Sequence, residues 1–242
     1  MPRKPQNTPM AEEDSAPGGA STVDRALSLL DVFSFENTSL TLTEMAERAR
    51  LYKSTTLRLL ASLQHKGLVQ QKADGSYCLG PGVARLHAIY SASFSLEEIV
   101  MPALRELMRE TKESAAFHVR QGDFRLCLYR VDSPQPVRDH IRAGELLPID
   151  RGAGGRVLMA YSGAEGEVYE RVRREGIAML VGDRVPELGG VSAPVFDAAG
   201  ELAGAVTLTM PTARYSESFA NPVRTAAFKI SSALGGDVPR RS

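Results

Sequence analysis

The segment Leu42-Thr43-Glu44-Met45-Ala46-Glu47-Arg48-Ala49-Arg50-Leu51-Tyr52-Lys53-Ser54-Thr55-Thr56-Leu57-Arg58-Leu59-Leu60 holds two helical patterns joined by a tight turn. Met45, Ala46 and Ala49 share one face of a short helix from about Thr43 to Arg50, which Thr41 or Thr43 can cap. Tyr52 and Lys53 connect it to a third helix, capped by Ser54. Thr56, Leu59, Leu60 and Leu63 turn inward on that helix, and Gly67 ends it in the left-handed C-cap position. Ser54, Thr55, Leu57, Arg58 and Ala61 are left facing outward.

Upstream, Ser21 can act as N-cap with Asp24 three residues on, and Val23, Ala26, Leu27, Leu30 and Phe33 recur at helical spacing. Downstream, Leu68 to Lys72 and Tyr77 to Leu79 flank Asp74-Gly75 and read as a hairpin. Three helices followed by a two-stranded wing make residues 21–82 a winged helix-turn-helix. The third helix of such a unit fits the major groove of DNA. The residues placed there are Lys53, Ser54, Thr55, Leu57 and Arg58. Arg58 can pair with guanine or phosphate, and Leu57 can pack on a thymine methyl. Lys72, on the wing, can meet the backbone.

Charge agrees with this. The whole chain has 29 Lys+Arg and 29 Asp+Glu in 242 residues, which excludes a globally basic coat. Between positions 41 and 85, however, seven basic residues face three acidic ones. An ordinary basic helical domain would explain the charge but not the order of helices and wing. Double-stranded operator DNA is therefore the expected partner.

At roughly 100–200 residues per domain, the length suggests one large domain or two small ones. Hydrophobic residues at 43% suit a globular chain that needs no disulfide or metal staple. The two cysteines, Cys78 and Cys127, are too far apart for a zinc pair and suit a reducing compartment. No apolar run reaches the ~18 residues of a membrane span, and no apolar core follows Arg3 and Lys4, so a cytoplasmic protein with no membrane partner is expected. Residues 1–20, with Pro2, Pro5, Pro9, Pro17, Gly18 and Gly19, read as a disordered tail.

Beyond the wing, Val83, Leu86, His87, Tyr90 and Phe94 form the stripe of a linker helix over 83–95. Ser95 and Glu98 make a capping pair. Leu96, Ile99, Val100, Ala103, Leu104, Leu107 and Met108 then form an amphipathic helix, which Pro102 should kink or split. Strands are expected at Ala115 to Arg120, Phe124 to Val131 and Val137 to Arg142. The cluster Gly152-Ala153-Gly154-Gly155 leads into an apolar helix from Arg156 to Tyr161, and a polar helix runs from about Glu165 to Arg174. Val191 to Phe196 and Leu202 to Thr209 form a second hairpin. A last helix carries Val223, Ala226, Ala227, Ile230 and Leu234. The fold class is α+β, with an antiparallel sheet flanked by helices over 96–238.

A pocket is plausible in this second domain. Along Leu202 to Met210 one strand face carries Leu202, Val206, Leu208 and Met210, and the other Ala203, Ala205, Thr207 and Thr209. The second face leaves space and offers hydroxyls, although Ala and Thr also permit close packing on a helix. Gly154 and Gly155 precede a helix, so free N–H groups can meet a carboxylate, and Arg151 can pair with it. No catalytic or metal site is expected. Val157 breaks the dinucleotide fingerprint, neither a Walker loop nor a Gly-x-Ser-x-Gly elbow is present, and His65, His87, His118 and His140 lack metal-ligand spacing. No cofactor is called for.

Several segments in fixed order carry a resemblance: Thr22-Val23-Asp24-Arg25-Ala26-Leu27, Leu42-Thr43-Glu44-Met45-Ala46, Lys53-Ser54-Thr55-Thr56-Leu57-Arg58-Leu59-Leu60, Gly67-Leu68-Val69, Tyr77-Cys78-Leu79-Gly80-Pro81, Leu147-Pro148, Gly155-Arg156-Val157-Leu158-Met159-Ala160 and Ala193-Pro194-Val195-Phe196-Asp197. Together they resemble the IclR family of bacterial transcriptional regulators, over nearly all of 21–236. The resemblance implies a ligand-responsive DNA-binding regulator, not an enzyme. It further implies a GAF-like effector-binding domain that also mediates homodimer or homotetramer formation, and a small organic acid or aromatic effector. It places Gly154, Gly155, Thr207 and Thr209 on the pocket wall, with Gly190 where many relatives carry a bulkier side chain. Two departures stand out. Arg50-Leu51-Tyr52 replaces the family's Gly-Leu-Pro, which puts Arg50 in a turn position where glycine is easiest. The chain between Ala160 and Ala193 is also shortened, and lacks a helix and acidic loop that help close the family's pocket. The alternatives are a GAF-like redox or nucleophilic enzyme using Cys127, which has no second cysteine in its domain, and a winged-helix protein–protein adaptor. The charge around Lys53 and Arg58 argues against the adaptor.

Overall fold

The computed structural model describes residues 9–13, 16, 18–93 and 96–236 and divides the chain into two units between Phe94 and Ser95. The first unit contains α1 (Met10–Glu13), α2 (Ser21–Asp31), α3 (Leu42–Arg48), α4 (Lys53–His65), β1 (Val69–Gln71), β2 (Tyr77–Leu79) and α5 (Pro81–Ser93). Thr41 starts α3 by a reciprocal capping box: its Oγ1 accepts from the Glu44 N–H at 3.3 Å, and the Glu44 carboxylate accepts from the Thr41 N–H at 2.8 Å. α3 ends at Arg50, whose φ is +55°. The Arg50 N–H bonds the Glu47 carbonyl and the Leu51 N–H bonds that of Ala46, the Schellman pattern that glycine usually completes. Gly67, at φ +69°, ends α4 in the expected left-handed conformation. β1 and β2 pair antiparallel around the turn at Gly75, and Leu40 bridges to Tyr77 on the other side of β2. Leu29, Leu40, Met45, Leu60 and Val69 are buried together at the centre of this unit.

Three expectations for this unit need correction. Ser21 is already helical, with Ala20 at the N-cap, and α4 begins at Lys53 with Tyr52 at the N-cap; neither helix has a side-chain cap. Within the expected tail, α1 is helical, with Ala11 buried and the Met10 N–H bonded to the Ala49 carbonyl at 3.3 Å. The expected capping pair of Ser95 with Glu98 involves a residue outside those described, as does the Phe94 end of the linker stripe.

The second unit contains α6 (Leu96–Thr111), β3 (Ser114–Gln121), β4 (Phe124–Val131), β5 (Leu146–Pro148), α7 (Gly152–Tyr161), α8 (Glu167–Glu175), β6 (Ala178–Val181), β7 (Leu188–Phe196), β8 (Leu202–Pro211) and α9 (Ala220–Ala233). The strands form one antiparallel sheet in the order β5-β4-β3-β8-β7-β6. One face packs Phe117, Val191, Val195, Val206, Leu208 and Met210 against Val100, Leu104 and Leu107 of α6 and Val223 and Ile230 of α9. Each such side chain, fully buried, contributes about 1.5–3 kcal/mol. The opposite face receives α7, with Ala153, Val157 and Leu158 packed near Ala205.

α6 runs unbroken through Pro102, contrary to the expected split. Pro102 is exposed, so the carbonyl freed by its missing N–H lies on the solvent side, while Val100, Ala103, Leu104 and Leu107 hold the buried side. Val137 to Arg142 is an irregular loop and not a strand: Pro134 and Pro136 precede it, and Val137 is exposed. β5 and β6 were not foreseen, being too short to show alternation. A bulge at Ala203, where Val195 pairs with Gly204 but Phe196 with Leu202, exchanges the two faces at the start of β8. Leu202 therefore packs on the α7 side and Ala203 on the α6 and α9 side.

Candidate functional site

Two surfaces carry chemistry, one in each unit. In the first, α4 buries Thr56, Leu59, Leu60 and Leu63, and the Thr56 hydroxyl donates back to the Tyr52 carbonyl at 3.1 Å. That anchoring turns Lys53, Ser54, Leu57 and Arg58 outward as exposed residues, with Thr55 half-buried. Leu57 is 50% exposed. Because no side chain caps α4, its first-turn N–H groups remain available beside Lys53 and Ser54. Lys72 is exposed at the wing turn, which is tightened by Asp74 accepting from the Ser76 N–H at 2.9 Å and hydroxyl at 2.6 Å.

The second surface is a small cleft, partly open to solvent, between the sheet and the start of α7. His118, Arg125, Gly152, Ala153, Asp183, Arg184, Gly190, Thr207 and Thr209 line it, with Ile141, Leu180 and Leu188 adding apolar surface. The register explains the assembly. His118 lies opposite Cys127 and Ala205, Arg120 opposite Arg125, Ser192 opposite Thr207, and Gly190 opposite Thr209. Side chains directly across from one another share a face, so the face toward α7 carries His118, Arg125, Ser192 and Thr207.

Most charges around the cleft are paired. The Asp183 carboxylate accepts from Arg156 at 2.9 Å and from the Gly152 N–H at 2.6 Å. Burial alone would raise that carboxyl, but these hydrogen bonds and the Arg156 charge hold it below the ordinary value. Arg184 pairs with Asp139 at 2.7 Å. Arg125 differs. It is only 2% exposed, its Nε has no hydrogen-bond partner, and it enters no ion pair among the described residues. Burial, and then the neighbouring Arg184, push its guanidinium down to about 10, so it remains a cation at neutral pH. His118 is also buried, and its Nδ1 contacts Thr207 Oγ1 at 3.2 Å. Desolvation, and then the Arg125 charge, hold His118 well below its ordinary value, so its ring is neutral.

The sequence-derived pocket residues divide. Gly190, Thr207 and Thr209 line the cleft. Gly154 lies under the polar cluster: a Cβ there would come within 2.7 Å of an Arg125 terminal nitrogen and of Thr207 Oγ1. Gly155 faces elsewhere, and its missing Cβ makes room for the Ile149 carbonyl. Arg151 has a side chain 61% exposed beside Asp150 and does not line the cleft. Two arginines line the cleft, Arg184 paired with Asp139 and Arg125 with no ion pair among the described residues; the sequence reading missed Arg125 together with His118 and Ser192. Their signal was available in the alternation of β4, where Arg125 shares parity with buried Cys127 and Tyr129. Cys127 itself is fully buried, and burial pushes its thiol up to about 11, which removes the thiolate that a nucleophilic or redox role would need.

The winged helix and the cleft-bearing α+β unit together define a transcriptional regulator that joins a DNA-binding domain to an effector-binding domain. The chain belongs to the IclR family: the model of the IclR helix-turn-helix domain matches residues 22–73, and that of the bacterial transcriptional regulator IclR C-terminal domain matches 88–169 and 166–232. The second model matches in two pieces, which overlap at residues 166–169. Among curated relatives, the HTH-type transcriptional regulator BhcR of Paracoccus denitrificans is 27% identical, covering 96% of this chain and 92% of its own. The DNA-binding transcriptional repressor YiaJ of Escherichia coli is 27% identical, covering 93% and 92%. A solved IclR-type structure from a Silicibacter species superposes with a TM-score of 0.81 at 26% identity, over 91% of this chain and 98% of that one. An IclR homologue from Microbacterium hydrocarbonoxydans, crystallised with 4-hydroxybenzoate, has the same fold at a TM-score of 0.78 and 20% identity, over 88% and 98%. Among the described residues no helix is long and apolar enough to cross a membrane.

Proposed function

We propose that this regulator binds operator DNA through α4 and the wing, and that a small organic acid in the cleft sets its affinity for that DNA. Lys53, Ser54, Thr55, Leu57 and Arg58 read the major groove, and Lys72 meets phosphate. The observation that carries the effector reading is Arg125: it is buried, its Nε is unbonded and it enters no ion pair among the described residues, and such a buried cation is costly unless an anion reaches it. The cleft opens beside it, and the first turn of α7 offers N–H groups at Ala153 and Gly154 to the same anion. A carboxylate is also what the Microbacterium homologue was crystallised with. Arg151 and Gly155 play no direct part in this reading.

The protein acts in the cytoplasm as a homodimer or a dimer of dimers. One α4 reads only a few base pairs, and a two-fold pair of such helices reads a palindrome. Selection from a random duplex pool with the full-length protein tests the DNA half. The expected product is an inverted repeat with half-sites about 34–36 Å apart, or a multiple of that. A pool enriched in single unsymmetric half-sites contradicts the reading.

A further inference from the structure

The hydrogen bonds behind the cleft run in one direction. The Val206 carbonyl can only accept, so the Ser192 hydroxyl 2.8 Å away donates its single proton there. Ser192 Oγ is then the acceptor toward Thr207 Oγ1 at 2.9 Å, and Thr207 is the donor. With its one proton committed, Thr207 Oγ1 can only accept from His118 Nδ1, 3.2 Å away. The neutral imidazole carries one N–H, and the relay places it on Nδ1. Nε2 is therefore a bare lone pair, buried and without a hydrogen-bond partner among the described residues.

Among the described residues, a buried acceptor without a hydrogen-bond partner and a buried cation without an ion pair line the same cleft. A carboxylate answers Arg125, but against Nε2 it sets lone pair on lone pair. Nε2 needs a donor, because an unsatisfied buried acceptor carries its full desolvation penalty. We infer that the cleft takes a hydroxycarboxylate, whose carboxylate pairs with Arg125 and whose hydroxyl donates to His118 Nε2. The inference rests on the reading of the cleft as an organic-acid site. An oxo acid of the same skeleton would put a carbonyl lone pair where the hydroxyl proton belongs. Ser192 is a positioning residue: through Thr207 it fixes which ring nitrogen carries the proton.

Calorimetric titration of the full-length protein tests this with two matched pairs, lactate against pyruvate and 3-hydroxybutyrate against 3-oxobutyrate. Acetate serves as the bare carboxylate. In any pair that binds, the hydroxy acid is expected to bind at least about tenfold more tightly than its oxo partner. Acetate should bind more weakly and lose its binding in Arg125→Met. In Ser192→Ala, Thr207 is free to donate to His118, the other tautomer becomes available, and the hydroxy preference should shrink. An oxo acid that binds as tightly as its hydroxy partner overturns the assignment and leaves the organic-acid cleft standing. Binding by none of the five acids removes the organic-acid reading and the assignment with it. A ligand-free check uses nitrogen-15-labelled histidine, with His118→Asn to identify the signal. A proton on Nδ1 of the neutral ring is expected, and a proton on Nε2 overturns the relay whichever acids bind.

Discussion

Arg125 reaches the cleft because it lies opposite Arg120, on the face of β3 and β4 that also carries His118 and Cys127, and it enters no ion pair among the described residues. An arginine in a row of core-facing positions is a mark the sequence carried. What it means depended on where Asp139 and Asp183 lie, and both come from loops that no periodicity orders. His118 has a measurable consequence of its own. Folded, its ring is held neutral by burial and by the Arg125 charge. Unfolded, it takes a proton near its ordinary value of about 6.5. Below that value the unfolded chain binds a proton that the folded chain refuses, so stability must fall with pH. The melting temperature should drop progressively as pH falls below about 6.5, and His118→Asn should flatten that slope; an identical slope in the variant would rule out His118 as its source. At the DNA surface two basic residues should behave differently. If Arg58 reads a base, Arg58→Ala costs about 1–3 kcal/mol and relaxes preference at one position. Lys53→Ala should weaken all sequences alike and lower the salt slope by roughly one unit for each phosphate that Lys53 neutralises. Equal losses on specific and random DNA for Arg58→Ala would make it a phosphate contact.

The start of α7 shows how one helix end can hold two glycines for different reasons. Gly155 accommodates a backbone carbonyl, which cannot yield, whereas Gly154 faces the end of the Arg125 side chain, which can, and the Thr207 hydroxyl, which Ser192 and His118 hold. Gly155→Ala should therefore cost about 1–3 kcal/mol of stability through overpacking. Gly154→Ala should cost less and fill the ligand cradle, leaving a folded protein that no longer answers to acid. Thermal melts and acid titrations of the two variants check this, and a Gly154→Ala protein that still binds acid at wild-type affinity contradicts it. The helices and long strands were readable from their stripes: α3, α4, the wing, β4 and α9 stand where the periodicity puts them. Helix starts were less readable, because Ser21 and Ser54 are cap-type residues that the backbone takes into the first turn instead. The loop at Val137 to Arg142 has the alternation of a strand, but the prolines before it and the pairing of Asp139 with Arg184 hold it irregular. Thr207 and Thr209 line the cleft on the strand face expected of them, while the bulge at Ala203 takes Ala203 off that face and puts Leu202 on it.

At the scale of the molecule, the proposed function requires one free-energy coupling between acid in the cleft and DNA at α4. Acid in the cleft can change DNA affinity only by as much as it prefers one state of the protein over the other, typically 1–3 kcal/mol. The coupling is reciprocal, so operator DNA must change acid affinity by the same factor. The most direct test titrates a selected inverted-repeat duplex with the full-length protein at fixed salt, with and without saturating lactate, in wild type and in Arg125→Met. The expected result is a shift of about 5- to 150-fold in the wild-type dissociation constant, of either sign, and none in Arg125→Met, whose ligand-free DNA affinity stays at the wild-type value. An equal shift in both proteins, or saturation of the wild-type cleft with no change in DNA affinity, would contradict the coupling.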